Sequence, residues 1–252
     1  MYSEKSFVQS VEKVSDEIFL VKVFSPAIAC IVKPGQFCNI KVSENNLPLL
    51  RRPFSVSDVD DNFICFLFNV HGEGTNILSK KKNGDVLEIL GPLGNGFSYK
   101  DDFQTAILVA GGLGMAPFPI LTKNITGEKE IITLVGGRSK NQIVTAGLIN
   151  ISVATEDGSM GYKGTVLELL QEKINKTDKK KFKIFSCGPN PMLKALQKLS
   201  NENNYDCEMS VEGAMACGFG ICQGCPIESA NGESYLLVCK DGPVFNSKAV
   251  KL

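Results

Sequence analysis

The sequence predicts a multi-domain β plus α/β protein: an antiparallel β-barrel, then a parallel-sheet α/β domain, then a small C-terminal module. Three observations predict this architecture. Short β-rich runs broken by turn residues fill roughly the first hundred positions, continuous apolar strands then alternate with helical stretches, and four of the nine cysteines fall within 23 consecutive residues near the end. We expect the domain boundaries at 1–100, 101–200 and 201–252.

Composition restricts the kinds of partner. The chain has 252 residues, and its 27 lysines and arginines balance 27 aspartates and glutamates, so electrostatics gives no reason to expect nucleic acid or an anionic membrane. No apolar run approaches the roughly 20 residues that a membrane span needs, and Met1-Tyr2-Ser3-Glu4-Lys5 opens no signal-peptide pattern. We therefore expect a cytoplasmic protein that works with small molecules and other proteins.

The first part has the pattern of an antiparallel barrel, from about residue 7 to residue 89. Its β-rich runs show no long helical period, and Pro34-Gly35 and Asn83-Gly84 supply turns between them. One helix is expected, at 75–82. The predicted strands are 18–24, 36–42, 63–70 and 86–89.

The second part begins where residues 105–110 form a continuous apolar strand that runs into glycines. Uninterrupted apolar strands separated by helices indicate a parallel sheet covered on both faces. The further predicted strands are 131–135, 151–154 and 182–185, and the predicted helices are 117–122, 165–174 and 191–199. A lysine-rich surface turn is expected over 173–183.

The third part contains one predicted strand, at 207–211, and then a run rich in glycine and cysteine that no ordinary helix could contain. Something other than a hydrophobic core must hold this run together. With nine cysteines and no secretion signal, we expect metal or redox use before a disulfide framework. Among the scattered cysteines, Cys30, Cys38 and Cys65 have apolar neighbours and are expected to be small buried hydrophobes.

The strongest motif is Cys217-x4-Cys222-x2-Cys225, followed after thirteen further residues by Cys239. This spacing matches plant-type ferredoxins and predicts a 2Fe-2S cluster held by these four thiolates. Glycines at 218, 220 and 224 permit the positive φ values and inward-facing N–H groups that such a loop needs. Zinc is the alternative, but structural zinc sites usually pair their thiols as two C-x2-C knuckles.

A second motif, Arg51-Arg52-Pro53-Phe54-Ser55, lies where a barrel strand should begin. An arginine can bind a pyrophosphate bidentately, an aromatic ring can lie on an isoalloxazine, and a serine hydroxyl can reach the flavin N5 region. Taken alone, a strand start with an exposed arginine pair is the simpler interpretation. Gly72-Glu73-Gly74-Thr75 favours the flavin, because a glycine before a helix N-terminus is a phosphate site.

A third motif, Gly111-Gly112-Leu113-Gly114, follows an apolar strand and leads into a helix. It lacks the G-x-G-x-x-G spacing, but small residues there would let a dinucleotide pyrophosphate approach the helix N-terminus. Two more loops, one containing Asp157 and one formed by Cys187-Gly188-Pro189, follow strands that should end at the same sheet edge, where ligands bind. Ordinary strand-to-helix turns would explain each loop singly, and all three together poorly.

These segments, in this order, resemble the ferredoxin-NADP reductase superfamily. Gly72-Glu73-Gly74-Thr75, the turn 91–97 and the segments 212–218 and 238–245 are similar to the electron-transfer subunits of class 1B, NAD-dependent, dihydroorotate dehydrogenase. The resemblance covers nearly the whole chain, and the terminal cysteine-rich segment is its most discriminating part.

The resemblance implies FAD in the barrel, NAD+ on the parallel domain and a 2Fe-2S cluster at the C terminus. Arg52, Pro53, Phe54 and Ser55 would then contact the flavin, with Phe54 standing where many members have tyrosine. The backbone of Asn69, Val70 and His71 would line the flavin, and Gly74 with Thr75 would hold its phosphates. It also implies a partner, an FMN-containing TIM-barrel subunit that oxidises dihydroorotate in pyrimidine biosynthesis, assembled as a heterotetramer of two of each.

No convincing acid-base dyad or triad occurs in the sequence, so no catalytic residue is assigned, and hydride exchange between flavin and nicotinamide depends mainly on stacking geometry. A cluster accepts one electron at a time and nicotinamide two, which places a flavin between them. The expected order is partner FMN, 2Fe-2S cluster, FAD and NAD+. The sequence leaves NAD against NADP open, since Arg138 could face a 2′-phosphate or only solvent.

Three rival functions stay open. One is the flavin and iron-sulfur subunit of another complex, such as a ferredoxin-NADP transhydrogenase or a sulfide- or hydrogen-oxidising assembly. Another is a self-contained reductase component that delivers electrons to a diffusing acceptor. The last is a non-enzymatic scaffold with a zinc-bound tail.

Overall fold

The first part of the chain closes into a six-stranded antiparallel barrel with strand order β1-β2-β5-β4-β3-β6. The computed structural model describes residues 1–15, 18–43, 45, 47–175 and 181–252, so residues 176–180 of the expected lysine-rich turn lie outside the described residues. The barrel elements are β1 (Tyr2–Lys13), β2 (Ile18–Phe24), α1 (Pro26–Ala29), β3 (Phe37–Lys41), β4 (Arg52–Asp60), β5 (Phe63–Asn69), α2 (Glu73–Ser79) and β6 (Val86–Leu93).

The predicted barrel is confirmed, with two additions. The strand expected at 18–24 coincides with β2, and the other three predicted strands are present with shifted ends. Strand β1 was not predicted, because most of its side chains face solvent and Ser6 and Val8 are its only fully buried members. The helix expected at 75–82 runs instead from Glu73 to Ser79, and the four-residue α1 was also missed.

The second part forms a seven-stranded sheet with strand order β10-β9-β8-β7-β11-β12-β15. Its strands are parallel except for the last, which pairs with β12 in the antiparallel sense. The helices and strands of the second and third parts together are β7 (Thr105–Gly111), α3 (Phe118–Ile125), β8 (Glu130–Gly137), β9 (Ile151–Thr155), β10 (Tyr162–Lys163), α4 (Val166–Ile174), β11 (Phe182–Cys187), α5 (Asn190–Glu202), β12 (Cys207–Ser210), β13 (Pro226–Glu228), β14 (Tyr235–Leu237) and β15 (Val244–Asn246).

The predicted parallel α/β domain is confirmed, and its central strands are the most buried in the chain. All seven residues of β7 and all six of β11 are buried, as expected for strands covered on both faces. The glycine segment after β7 is a 3₁₀ turn, Gly112–Met115, and α3 begins only at Phe118. None of the helices in the described part of the chain is long and apolar enough to cross a membrane.

The third part contributes more strand than the sequence predicted. One strand was expected there, but β12 and β15 both extend the second sheet, and β13 pairs with β14 in a separate two-stranded sheet. Strands of three residues carry too little pattern to be recognised in a sequence. The boundary at 200/201 stays a prediction; in the structure, strands on both sides of it belong to one sheet.

A buried lysine ties the linker between the first two parts to the second sheet. Lys183 on β11 is 2% exposed, and its ammonium lies 2.5 Å from Asp101, 3.0 Å from Glu208 and 3.7 Å from Asp206. It also donates to the carbonyl of Ser98 at 3.2 Å. Burial alone would lower the pKa of Lys183, but the surrounding carboxylates outweigh burial and raise it above its ordinary value.

Candidate flavin and cluster site

A cleft of about 300 Å³ opens where the three parts of the chain meet. Most residues predicted to contact the flavin and one predicted for the dinucleotide line it: Arg52, Pro53, Phe54, Ser55, Asn69, His71, Thr75 and Cys187. Several lining residues were not predicted as site residues, among them Phe37, Leu113, Glu212 and Met215. A cleft bounded by the barrel, the sheet edge and the terminal module suits a ligand that must exchange electrons with both neighbours.

Strand β4 presents its first residues to this cleft. Residues 52–55 are all half-buried, because one side of the strand packs on the barrel and the other side is open. The Phe54 ring lies 5.8 Å from the Phe68 ring and 6.3 Å from the Phe66 ring, between ring centroids. The barrel aromatics therefore hold Phe54 at the cleft wall, where its ring can contact a flat heterocycle.

The arginine of this motif lies against the start of α2. A Cβ atom on Gly74 would come within 2.9 Å of Arg52 Nε, so the glycine allows the guanidinium to approach the helix closely. The Thr75 hydroxyl accepts hydrogen bonds from the N–H groups of His71 at 2.9 Å and Gly72 at 3.2 Å. Arg52, Gly74 and Thr75 thus form one small polar cradle, with a cation and a rigid turn, which fits a pyrophosphate.

The neighbouring arginine has a different contact. Arg51 donates from one nitrogen to the backbone carbonyl of Glu88 at 2.8 Å and from the other to the Glu88 carboxylate at 2.9 Å. This pairing holds Arg51 on strand β6. Of the two arginines in the motif, only Arg52 lines the cleft.

Glu212 is a cleft residue that the sequence reasoning did not select, although the segment 212–218 carried part of the family resemblance. It follows β12 and is exposed to solvent, yet the protein atoms around it on the cleft side raise the pKa of its carboxyl, while the charge of nearby His71 opposes that rise. His71 Nε2 lies 2.7 Å from the side-chain nitrogen of Asn69. The only histidine and this glutamate therefore face the same cleft.

Cys187 ends β11 at the cleft and is 4% exposed. Burial raises the pKa of its thiol to about 12, and the charge of Glu212 adds to that effect. The thiol is therefore neutral at physiological pH and is not an activated nucleophile. It offers a small, soft surface at the end of the sheet.

The loops after β7 and β11 pack directly on each other. A Cβ on Gly111 would lie 2.8 Å from Pro189 and 2.7 Å from Met192, and a Cβ on Gly114 would overlap the carbonyl of Cys187. A Cβ on Gly188 would lie 2.6 Å from Met192 Cε and 3.0 Å from the nitrogen of Gly111. Packing between the loops thus already requires these glycines, whereas a Cβ on Gly112, at φ +54, would have no neighbour within 4 Å.

Asp157 lies at the same sheet edge, beyond strand β8. Its loop is exposed and hydrogen-bonds to the loop after β8, with the Asp157 nitrogen donating to the carbonyl of Arg138 at 3.1 Å. Hydrogen bonds from Ser159 lower the pKa of the Asp157 carboxyl. Dinucleotide contacts by Asp157, Gly111, Gly112, Gly114, Gly188 and Pro189 stay predictions.

The four predicted cluster ligands lie in one loop region as two pairs. The Cys222 nitrogen is 3.5 Å from Cys217 Sγ, and Cys225 Sγ is 3.2 Å from Cys239 Sγ. Cys225 and Cys239 are buried, Cys217 is half-buried and Cys222 is exposed. A two-iron cluster is held by four thiolates, two on each iron, and two pairs of thiols are compatible with that ligation.

Backbone N–H groups point at these sulfurs. Burial raises the pKa of Cys217, but N–H groups of Cys222, Phe219 and Ile221 hold it at about 6, so the thiolate is favoured before any metal binds. The loop achieves this shape with φ of +83 at Gly218 and +90 at Gly220. Among the described residues, no three His, Cys, Asp or Glu side chains surround a single point as a lone metal ion needs.

The cluster loop and the flavin cleft share part of their packing. Phe37 on β3 is 3% exposed, lines the cleft, and belongs to the same apolar core as Leu93, Cys225 and Cys239. On the other side of the module, the Asn95 side chain donates to the carbonyls of Lys240 and Asp241 at 3.2 and 3.0 Å. The barrel therefore contacts the module directly, next to the cleft.

Comparison with known proteins agrees with this geometry. A family profile described as the iron-sulfur cluster binding domain of dihydroorotate dehydrogenase B matches residues 212–251. The chain is 42% identical over 221 residues, 86% of each chain, to the dihydroorotate dehydrogenase B (NAD(+)) electron transfer subunit of Caldanaerobacter subterraneus subsp. tengcongensis. Subunits of the same description from Bacillus velezensis and Fusobacterium nucleatum are 37% and 34% identical, over 97% and 100% of each chain.

Solved structures show the same fold. A chain of the NADH-dependent reduced ferredoxin-NADP oxidoreductase, described for flavin-based electron bifurcation, superposes with a TM-score of 0.85 and 26% identity, over 98% of this chain and 90% of that one. A ferredoxin NADP+ reductase from Neisseria gonorrhoeae with bound FAD and NADP gives a TM-score of 0.66 at 15% identity, over 79% and 91%. The second likeness supports the fold alone.

Proposed function

The chain belongs to the family of dihydroorotate dehydrogenase B electron transfer subunits, and we propose that it carries electrons from a dihydroorotate-oxidising partner to NAD+. It does so as an NAD-linked oxidoreductase subunit with FAD and a 2Fe-2S cluster. The observation that carries this function is the shared packing of the cluster loop and the flavin cleft through Phe37. Electron transfer needs the two groups at a short, fixed separation, and one apolar core contains both a residue of the cleft wall and two of the predicted cluster ligands.

Each part of the chain has a distinct task. FAD supplies the exchange between single-electron and two-electron carriers, and NAD+ is the final acceptor. Arg52 and Thr75 would bind the flavin phosphates, and Phe54 would contact the ring. Cys187 and Glu212 close the cleft on the side of the sheet edge, from which nicotinamide approaches. The inward-facing N–H groups of residues 219–222 stabilise thiolate charge at the cluster.

The name of the family implies a catalytic partner. We propose an FMN-containing TIM-barrel subunit, in a heterotetramer of two of each, in the cytoplasm. The exposed side of the cluster loop supports docking there, because Cys222 is exposed and its neighbour Ile221 is 77% exposed. A cluster ligand at the surface gives a partner short access to the cluster.

The decisive assay combines the purified partner with this chain, dihydroorotate as donor and NADH formation as readout. Cys222→Ser should abolish iron-sulfur absorption and dihydroorotate-dependent NAD+ reduction, because the cluster is the only bridge proposed between the two flavins. NADH-dependent reduction of ferricyanide, which needs FAD alone, should remain. Cys30→Ser is the matched control, since Cys30 is also exposed and lies outside the module.

Three results would each reject a part of this proposal. Full NAD+ reduction by the cluster-free complex would reject the electron path. An intact, fully loaded wild-type complex that forms no NADH from dihydroorotate would reject the substrate assignment. Zinc in place of iron and acid-labile sulfide would reject the cluster itself.

A second candidate is the corresponding subunit of a ferredoxin-NADP oxidoreductase complex. It is favoured by the superposition over 98% of the chain on the NADH-dependent reduced ferredoxin-NADP oxidoreductase. The identity of 26% there, against 42% to the dihydroorotate dehydrogenase subunit, favours the first function. Oxidation of reduced ferredoxin by a complex that ignores dihydroorotate would reverse that order.

A further inference from the structure

Strand β3 is buried on both of its faces, and its outer face meets the cluster loop. Cys38 and Ile40 belong to the barrel core, whereas Phe37 and Asn39 alternate with them and point outward. Phe37 and Asn39 are nevertheless 3% and 0% exposed, because the terminal module covers the outside of this strand. The register of β3 with β6 shifts between Phe37 and Asn39, and an irregularity of this kind bends a strand locally.

Asn39 makes a direct contact with a cluster ligand residue. Its side-chain Nδ2 donates to the backbone carbonyl of Cys217 at 3.1 Å, across 178 positions of sequence. The next residue, Gly218, makes the approach possible, since a Cβ there would overlap the Asn39 amide nitrogen. Glycine at 218 is thus required both by its φ of +83 and by Asn39.

The same strand is paired with the flavin motif. In the register of β3 with β4, Asn39 lies opposite Pro53, Cys38 opposite Phe54, and Phe37 opposite Ser55. The flavin motif on β4 is therefore connected to the first cluster ligand through the neighbouring strand β3 and one side-chain hydrogen bond, from Asn39 to Cys217.

Asn39 is a poor choice for packing alone. None of the described residues donates to its buried Oδ1, and an unpaired buried polar atom is destabilising. A leucine has the same branched skeleton of side-chain heavy atoms and carries no polar atom that could be left unpaired. Where a residue breaks a packing rule at a cofactor site, function is the usual reason.

We infer that Asn39 is a positioning residue for electron transfer, whose side-chain amide fixes the Cys217 side of the cluster loop to the strand that carries the flavin motif. This inference rests on the proposed function. The hydrogen bond goes to a carbonyl and leaves the thiolate sulfurs untouched, so Asn39 acts on the position of the cluster and leaves its reduction potential unchanged. Since electron transfer slows steeply with distance, loss of this anchor lowers the rate between FAD and cluster.

The test uses the full chain loaded with FAD and cluster, mixed with NADH in a stopped-flow spectrometer. In Asn39→Leu, flavin reduction by NADH should be unchanged, while the following cluster reduction should slow by roughly 10- to 100-fold, the usual effect of losing a residue that orients a metal ligand. The cluster midpoint potential and the EPR g values should equal those of the wild type. The urea midpoint of unfolding should stay or rise, whereas a merely structural residue would lower it.

Asn95→Leu is the matched comparison, because Asn95 also joins barrel to module but donates to the carbonyls of Lys240 and Asp241. It should slow cluster reduction much less. Equal slowing in both variants would overturn the inference, because any contact between barrel and module would then have the same effect. An unchanged rate of cluster reduction in Asn39→Leu would also overturn it, and so would a slowing that a shift of the cluster midpoint potential explains.

Asn39→Ser provides a second variant, since its side chain is too short to reach the Cys217 carbonyl. It should show the same slowing with the cluster retained. Loss of the cluster from both variants at full FAD content would overturn the inference, because Asn39 would then be needed to bind the cluster. A wild-type chain whose cluster NADH cannot reduce would instead reject the proposed function, so the two failures are distinguishable.

Discussion

Replacing Arg52 by alanine should weaken FAD binding, whereas replacing Arg51 should have little effect. The two arginines are adjacent and chemically identical, but Arg52 lines the cleft beside Gly74 and Arg51 is held by two hydrogen bonds to Glu88. Arg51→Ala is therefore a control that removes the same charge from the same motif. The comparison separates the effect of the Arg52 contact on FAD affinity from the general attraction between any nearby positive charge and a phosphate.

The magnitude follows from the surroundings of Arg52. A hydrogen bond to a charged group contributes about 1.5 to 3 kcal/mol, which corresponds to a roughly ten- to hundredfold change in affinity. Arg52 is half-buried, so water partly screens the pair with a phosphate. We therefore expect the lower end of that range, about tenfold.

A second variant, at Gly74 in helix α2, tests the same contact of Arg52 from the side of the helix. Gly74→Ala places a Cβ 2.9 Å from Arg52 Nε and 3.4 Å from its Cγ and Cζ, so the guanidinium must shift. Gly74→Ala should cause part of the loss seen in Arg52→Ala. If both act through one contact, the double variant should bind FAD about as weakly as Arg52→Ala alone, because effects of residues in contact are not additive.

The assay is titration of FAD into flavin-free protein, followed by flavin fluorescence, with the dissociation rate measured separately. The chain contains no tryptophan, so protein emission does not interfere. Iron content and the urea midpoint establish that each variant is folded. Equal FAD affinity in wild type and Arg52→Ala, or equal losses in Arg51→Ala and Arg52→Ala, would refute the reasoning.

Three further predictions concern residues of the barrel and of the second sheet that lie around the site. Lys183→Met should lower the free energy of unfolding by about 3 kcal/mol, since it removes the ion-pair partner of the buried Glu208 carboxylate. Because the folded pKa of Lys183 is raised above 10.5, its stabilisation is present below that pH and lost as pH rises further, which urea unfolding across pH can check. Cys30 is exposed and Cys38 is buried, so Cys30→Ser should change the free energy of unfolding by less than about 0.5 kcal/mol, whereas Cys38→Ala should lower it by more than about 1 kcal/mol. Equal urea midpoints of the two variants would contradict this prediction. Gly114→Ala should weaken NADH binding, because its Cβ would displace the carbonyl of Cys187; an unchanged KM for NADH in the ferricyanide assay would disprove it.

Burial of single cysteines shows one limit of sequence reasoning. Cys30, Cys38 and Cys65 all have apolar neighbours, and all three were expected to be buried. Cys38 and Cys65 are, but Cys30 was predicted wrongly and is exposed at the C-terminal end of α1. Apolar neighbours along the chain indicate burial in a strand, where alternation decides the face, but Cys30 is the C-cap that follows the short α1 and faces solvent, whereas Ala29 before it is buried.

The glycine motif after β7 shows another limit. Sequence reasoning assigned its glycines to the approach of a dinucleotide, and those contacts stay predictions. In the structure, packing of Gly111 and Gly114 against the loop after β11 is already sufficient to require glycine. A glycine indicates that something approaches closely, but the sequence does not say whether that neighbour is a ligand or another loop.

By itself the sequence determined the order of the three parts, the flavin motif at the start of a barrel strand and the spacing of Cys217, Cys222, Cys225 and Cys239. These are local properties, because periodicity, turn residues and ligand spacing are set by positions close together in the chain. Only the tertiary structure decided that β12 and β15 extend the second sheet, that Glu212 faces the cleft, and that the terminal module covers the outside of β3. In the sequence, Asn39 is only a polar residue within the predicted strand 36–42, and it becomes a buried contact of Cys217 only because a segment 178 positions away packs on that strand.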